Sequence, residues 1–295
     1  MAGYKYFVVD VFTDEKYHGN PLAVVFTDSD LELSTYENIA REFGYSETSF
    51  IYYSKIETAL KIRSFTPTGF EVNGAGHNLL GAVCAALLND QAIFQHQEND
   101  RFVLMKDERI DLSLRYRKNE VPFVGMKQNP STILAALEPK IIARALHLDQ
   151  DFVLSGHLSP TIVKTEVTHL IVPLKNKEAL DNAVPDKKLL IETSRKYDFE
   201  GVYCFILSRE NTDYFAHARF FNPGIGIDED PATGSAAGPL AGFLFHKNLI
   251  TQNRVYTLLQ GQKMNRPSVI QFEVKTDSIW ISGSAVKVME GTIFE

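Results

Sequence analysis

Two cysteines and one tryptophan are all that 295 residues contain. Cys84 and Cys204 each sit inside an apolar segment, so no disulfide framework is expected. Two free thiols in a reducing cytoplasm fit that usage. No cluster of Lys and Arg offsets the net charge of −7, which argues against a nucleic-acid partner. Long hydrophobic runs are missing as well. The longest, Leu79 to Leu88, is about half of what a bilayer needs, and Phe7-Val8-Val9 is interrupted by Asp10 too soon for a signal peptide. There is no Walker A sequence, no His-Glu-x-x-His, and no paired histidine spacing for a metal. Gly74-Ala75-Gly76-His77-Asn78-Leu79 lacks the third glycine of a dinucleotide fingerprint. Thr233 and Ala237 occupy the glycine positions of a would-be nucleophile elbow at Ser235. Neither a metal nor a cofactor is expected, and proton transfer is the chemistry that remains.

What is present is a chain of short strands with a few helices, an α+β pattern. Tyr4–Phe12, Leu22–Phe26, Thr48–Tyr53, Ala59–Phe65 and Arg109–Arg115 are rich in β-branched and aromatic residues. Ser34-Thr35-Tyr36-Glu37 reads as a capping box that starts a helix, with Gly44 as its stop. A helix from near Gly76 through Leu88 is apolar all round, so it belongs inside the fold. Past a polar stretch near 120–130, helices are expected at Ser131–Leu148 and Asp186–Tyr197. Strands are expected at Thr161–Lys164, Thr168–Leu174, Gly201–Ser208 and Tyr214–Phe221, then a second apolar helix over Ser235–Phe245. Four more strands, Val255–Leu259, Val269–Val274, Ser278–Ser282 and Ala285–Met289, close the chain.

A weak repeat runs through this order. Arg63-Ser64-Phe65-Thr66-Pro67 resembles Arg219-Phe220-Phe221-Asn222-Pro223, and each is followed by a glycine-containing loop and an apolar helix. The loops are Asn73-Gly74-Ala75-Gly76-His77 and Asp230-Pro231-Ala232-Thr233-Gly234-Ser235. A helix start offers unpaired N–H groups and a partial positive charge, so two such starts meeting at one cleft could hold a small carboxylate. The plainer alternative is that these glycines only permit tight helix packing. His77, Asp230 and Glu47 are the candidate acid/base residues. Glu47 lies where a helix gives way to an apolar strand, and a carboxyl enclosed in an apolar cleft can both take and give a proton. Each residue also has an ordinary structural reading: a core or capping histidine, an N-cap aspartate, a strand-edge glutamate.

Val9-Asp10-Val11-Phe12-Thr13, Gly19-Asn20-Pro21-Leu22-Ala23-Val24-Val25, Ser46-Glu47-Thr48-Ser49-Phe50, Gly76-His77, Asp230-Pro231-Ala232-Thr233-Gly234-Ser235-Ala236, and Gln260-Gly261 with Arg266-Pro267-Ser268 resemble, in order, the motifs of the PhzF family. The resemblance implies a diaminopimelate epimerase-like fold of two pseudo-symmetric domains, each a curled β-sheet or barrel around a central helix. Domains are expected over 1–118 with a C-terminal strand at about 284–295, and over 119–283. It also implies a cytoplasmic homodimer and a cofactor-independent isomerase acting on a small carboxylate-bearing substrate, as in the family's phenazine-pathway isomerisation of a dihydro-hydroxyanthranilate. Glu47 is then the proton shuttle, assisted by His77 and Asp230, with Ser46, Gly76, Gly234 and Ser235 on the substrate. Related epimerases carry cysteines near the positions of Ala75 and Thr233, so thiol-driven racemisation is not expected here. Asn78-Leu79-Leu80 and Asn265 depart from the family pattern beside the expected pocket, which leaves substrate identity open. An epimerase or lyase on the same scaffold, and a non-catalytic binding protein, are the competing readings.

Overall fold

The uniform burial of Phe7–Val11 sets the centre of the first half of the molecule. In the computed structural model, residues 3–72, 74–90, 93–94, 101–116, 121–154, 156–208 and 213–294 are described. The chain divides into two compact units, 1–127 with 282–295, and 128–281.

In the first unit, β1 (Gly3–Val11) pairs antiparallel with β2 (Asn20–Phe26), and helix α1 (Leu33–Phe43) leads to β3 (Thr48–Ser54) and β4 (Ala59–Phe65). Helix α2 (His77–Asn89) follows, then β5 (Phe102–Met105), β6 (Glu108–Tyr116) and β7 (Pro122–Gln128). The strand order runs β1 to β7 in sequence. A long last strand, Ile279–Phe294, lies beside β7 and pairs with β1 from Ala285 onward, closing the sheet into a barrel. Helix α2 carries no charge and is buried from His77 to Leu87, packed against β1 to β4. Gly81 makes this approach possible, since a Cβ there would lie 2.6 Å from methyl groups of Leu22 and Val11. Outside the barrel, α1 lays Tyr36, Ile39 and Ala40 over Phe50 and Phe65, with the Tyr36 and Phe65 rings stacked at 5.0 Å.

The second unit holds β8 (Thr132–Ala136), α3 (Pro139–Ala145), β9 (Thr161–Lys164), β10 (Thr168–Pro173), α4 (Lys177–Asn182) and α5 (Lys187–Tyr197). They are followed by β11 (Gly201–Leu207), β12 (Ala216–Asn222), β13 (Ile227–Asp230), α6 (Gly234–His246), β14 (Val255–Gln260) and β15 (Ser268–Val274); the strand Ile279–Phe294 is then β16. Its sheet runs β15-β14-β12-β11-β10-β9-β8, with β13 on β12. Helix α6, buried along most of its length, packs against β9, β10, β11 and β15. Residues of α3, α4 and α5 form a separate core with Leu170, Val172, Val202, Cys204 and Phe221.

Several expectations need correction. Ser34 is no N-cap: α1 begins at Leu33 with Glu32 as cap residue and no side-chain cap bond, while Gly44 does end it at φ 66°. The helix expected over 131–148 is a strand and a shorter helix. Thr132–Ala136 pairs with β9, and that pairing overrides the helix preference of its alanines. Pro139 then opens α3 at its first turn. The polar stretch near 120–130 contains β7, whose Pro-Phe-Val-Gly-Met run is buried. The last two expected strands are one, because Gly283 lies against the Phe12 ring and lets the backbone continue.

The sequence repeat has a structural counterpart in each unit. Arg63 on β4 grips Glu71 through Nε and Nη2 at 2.8 and 3.0 Å, and its guanidinium covers the Phe65 ring. Arg219 on β12 grips Glu229 at 2.8 Å through the same two nitrogens and covers Phe221. Each clamp ties a strand to the segment that returns to the next helix start. They differ in burial: Arg219 is 8% exposed and also donates to the carbonyls of Leu180 and Ala183, whereas Arg63 is 23% exposed. Breaking the more buried pair strands more polar groups, so Arg219→Met is expected to cost about 3–5 kcal/mol. The matching Arg63→Met is expected to cost about 1–2 kcal/mol, both read from denaturant midpoints. Gly81→Ala is expected to lower stability by about 1–2 kcal/mol, because overpacking against Leu22 and Val11 outweighs the helix preference of alanine.

Candidate active site

Both buried helices face the same physical problem at their N-termini. Amide N–H groups of the first turn have no partner within the helix, and burial withholds water. In the first unit the side chain of Asn78 resolves it. Its Oδ1 accepts from the N–H groups of Gly76 and Leu79, both at 2.8 Å, and its Nδ2 donates to the Gly74 carbonyl at 3.1 Å. One carboxamide therefore folds the glycine loop back onto the helix start. Asn73, the first residue of that loop, lies outside the described residues. Beneath it, Ser49 on β3 meets the Ser64 hydroxyl of β4 at 2.7 Å and lies 3.1 Å from the Asn78 carbonyl, to which it can donate.

His77 is the first residue of α2, with Gly76 as its cap residue. It is buried, and desolvation pulls its pKa down to about 3, so the imidazole is neutral at ordinary pH. Glu47 is also buried, immediately before β3 and two residues from Ser49. Among the described residues, Nε2 of His77, Oγ of Ser46 and Oγ1 of Thr48 are buried polar atoms without a hydrogen-bond partner. In the first unit Ser46 and Glu47 thus lead into β3, Gly76 and His77 open α2, and the Ser49–Asn78 contact joins the two elements.

In the second unit Asp230 ends β13 and is buried. Gly234 and Ser235 are the first two residues of α6, and Thr233 is the cap residue. Thr233 Oγ1 donates to Asp230 Oδ2 at 2.5 Å. Gln260, at the end of β14, donates through Nε2 to the Asp230 carbonyl at 2.8 Å and to Thr233 Oγ1 at 3.0 Å. Gly261 is required next to it. Its φ is +78°, and a Cβ would strike the carbonyl oxygens of Arg266 and Pro231. Gln128, the first residue of the second unit, donates through Nε2 to the Gly234 carbonyl at 3.3 Å. Asp230, Gly234 and Ser235 thus belong to one loop-and-helix start, held by Gln260.

Sequence reading picked out the loops but not the residues that hold them. Asn78 stood out only as a departure from a pattern and Gln260 only as part of a motif. Ser49 and Ser64 appeared only within quoted stretches, and Tyr203 and Gln128 carried no signal, because the partners of all four lie 15 to 106 residues away. The two thiols offer no nucleophile. Cys84 and Cys204 are fully buried in α2 and β11, where burial pushes the Cys84 thiol up and that of Cys204 up to about 12. Among the described residues, no group of three or more His, Cys, Asp or Glu is placed to hold a metal ion, and no helix is long and apolar enough to cross a membrane.

Comparison with known proteins supplies the wider context. The chain is 30% identical to an uncharacterized isomerase of Clostridium acetobutylicum, with 98% of each chain covered. It is 31% identical to the uncharacterized isomerase YddE of Escherichia coli over 94% of each. With the trans-2,3-dihydro-3-hydroxyanthranilate isomerase of Pseudomonas aeruginosa it shares 28% over 99% of each. Among solved structures, a PhzF-family phenazine biosynthesis protein of Bacillus anthracis superposes with a TM-score of 0.86 at 24% identity, both chains fully covered. A predicted epimerase of Pseudomonas aeruginosa gives 0.81 at 26% over 99% of each. A probable proline racemase of Agrobacterium radiobacter gives 0.67 at 9%, covering 99% of this chain and 93% of the other. The α+β fold is therefore the one shared by PhzF proteins and the proline racemase-type epimerases. Residues 9–291 match the phenazine biosynthesis-like protein family, PhzC-PhzF, and with relatives named as isomerases along nearly its whole length, the chain belongs to that family.

Proposed function

We propose that this protein is a cofactor-independent isomerase that relocates a proton on a small carboxylate-bearing substrate by general acid/base catalysis. Glu47 removes the proton from a carbon next to an unsaturated system and returns it elsewhere, with His77 and Asp230 assisting. The observation that carries the reading is that Ser46 Oγ and Thr48 Oγ1, the sequence neighbours of buried Glu47, and Nε2 of buried His77 are polar atoms without partners. Native interiors satisfy their polar groups, and unpartnered atoms beside a candidate acid/base residue leave room for a ligand's polar groups. The N–H groups at the starts of α2 and α6, with Ser46, Gly76, Gly234 and Ser235, suit a substrate carboxylate. That both loops serve one substrate is part of the proposal and rests on their paired order in the sequence and on the family resemblance. Neutral His77 can accept or relay a proton without presenting a fixed charge to the substrate. The named isomerase relatives make trans-2,3-dihydro-3-hydroxyanthranilate the first compound to try.

In heavy water, the wild type is expected to convert that compound with deuterium incorporated at carbon. Glu47→Gln is expected to lose about 10²-fold or more in kcat, the usual size of a general acid/base contribution. A Glu47→Gln protein within threefold of wild type would remove Glu47 from the mechanism. The protonation of His77 gives a second prediction. Its folded pKa of about 3 lies below the unfolded value of 6.5, so below pH 6.5 the unfolded chain binds a proton that the native state refuses. Stability is expected to fall with acidification from pH 6.5 towards 3, by up to about 1.4 kcal/mol per pH unit from this residue. His169, buried and held down to about 4, adds to the same slope, so the comparison is between wild type and His77→Gln in urea at pH 7, 6 and 5. The variant should show the shallower loss; equal slopes would mean that His77 protonates normally in the folded state.

A further inference from the structure

Strand interiors favour β-branched and aromatic side chains, yet the first unit sets two serines opposite each other there. Ser49 of β3 and Ser64 of β4 are direct partners in the antiparallel register, and both are fully buried. A hydroxyl withdrawn from water is costly unless it is hydrogen-bonded. The two oxygens lie 2.7 Å apart, and Ser49 Oγ lies 3.1 Å from the Asn78 carbonyl in the first turn of α2. A carbonyl only accepts, and a serine has one proton to give. Ser49 therefore donates to Asn78, and Ser64 donates to Ser49. The reverse order would leave the oxygens of Ser49 and Asn78 facing each other with no proton between them. The ordinary helical bond to the Asn78 carbonyl is not displaced, because that oxygen has a second lone pair.

We propose that Ser49 is a positioning residue for the acid/base chemistry, and that the one-way relay from Ser64 through Ser49 to the Asn78 carbonyl sets the start of α2 against β3. The role rests on the proposed isomerase in one respect, that Glu47 and His77 carry the proton transfer. Glu47 stands two residues before Ser49, and His77 is the residue before Asn78. A slip of the helix start along the strand would move the imidazole and leave the carboxyl behind. The hydroxyl bond opposes that slip, because it ends on the backbone of the turn that carries His77. Asn78 is thereby held twice. Its side chain folds the glycine loop onto the helix through Gly74, Gly76 and Leu79, while its carbonyl is tied to the strand. Packing alone gives the serines a different role, as small side chains that let α2 approach, and alanine would then serve as well. The two roles part at the hydroxyl of Ser49, which acts through Asn78 and touches no substrate itself.

Two arms test this. The first needs no turnover and follows amide hydrogen exchange by NMR in wild type, Ser49→Ala and Ser64→Ala. Ser49→Ala is expected to speed exchange at Gly76 and Leu79 about fivefold or more relative to Cys84 and Ala85. Those two amides lie in the middle of α2 and also report that the variant is folded. Ser64→Ala keeps the bond from Ser49 to Asn78 and is expected to give a smaller acceleration. Unchanged exchange at the helix start in Ser49→Ala overturns the proposal, and so does a Ser64→Ala effect as large as that of Ser49→Ala. The second arm measures turnover of trans-2,3-dihydro-3-hydroxyanthranilate. Ser49→Ala is expected to lose about tenfold or more in kcat with KM within about threefold, as a misplaced catalytic group would. A folded Ser49→Ala protein with unchanged kcat, or with its loss confined to KM, also overturns the positioning role. If the wild type leaves the compound unchanged, the substrate suggested above falls, and the exchange arm decides the role of Ser49 by itself.

Discussion

A helix buried on every side must have its first-turn amides met by something other than water, and in both units of this protein the demand falls on a short glycine-containing loop that has no regular structure of its own. The two solutions are chemically alike. Asn78 folds the first loop onto the start of α2 with three backbone hydrogen bonds, and Gln260 holds the second loop to the start of α6 with bonds to Asp230 and Thr233. A carboxamide suits this work because it donates and accepts at once without titrating, so it can bind both N–H and C=O groups of a loop at any pH. The candidate catalytic residues owe their positions to these bonds. His77 follows the glycines that Asn78 holds, and Asp230 precedes the cap residue that Gln260 holds.

The arginine clamps extend the parallel away from the loops. Arg63 with Glu71 and Arg219 with Glu229 occupy corresponding points of the repeat, use the same guanidinium nitrogens and cover a phenylalanine two residues on. A bidentate pair fixes both distance and orientation between the strand and the returning segment, which an apolar contact would not. Divergence shows in what surrounds each clamp. Arg219 is drawn into the second unit by the carbonyls of Leu180 and Ala183, whereas Arg63 shares its charge with Asp30 near the surface.

Buried groups in this fold separate into those that are satisfied and those that are not. The Gln260 network is closed, with every donor and acceptor of its amide engaged, and it behaves as framework. Ser46, Thr48 and His77 are among the residues that leave a buried polar atom unpartnered. The thiols lie on the other side of this division. Cys84 and Cys204 are held where burial disfavours the thiolate, so neither thiol is equipped to act as a nucleophile.

Much of this was present in the order of amino acids. The all-apolar stretches after Gly76 and Thr233 had to be internal helices, because no face of either could tolerate water, and the Arg-x-Phe-x-Pro repeat marked the duplication before any strand was paired. Ser46, Glu47, His77 and Asp230 stood out as candidates because acid/base and hydroxyl side chains are conspicuous beside glycine and alanine. Where neighbours in sequence were the wrong guide, tertiary pairing decided. Thr132–Ala136 became a strand because β9 was there to receive it, and Ser34 lost its capping role when Glu32 took the cap position. The partners of Asn78 Oδ1 lie within two residues, yet those of Gln260 come from 27 to 57 residues away. A hydrogen bond of that reach depends on where separate strands come to rest, so only the folded chain could show that Gln260 holds Thr233 and the Asp230 loop.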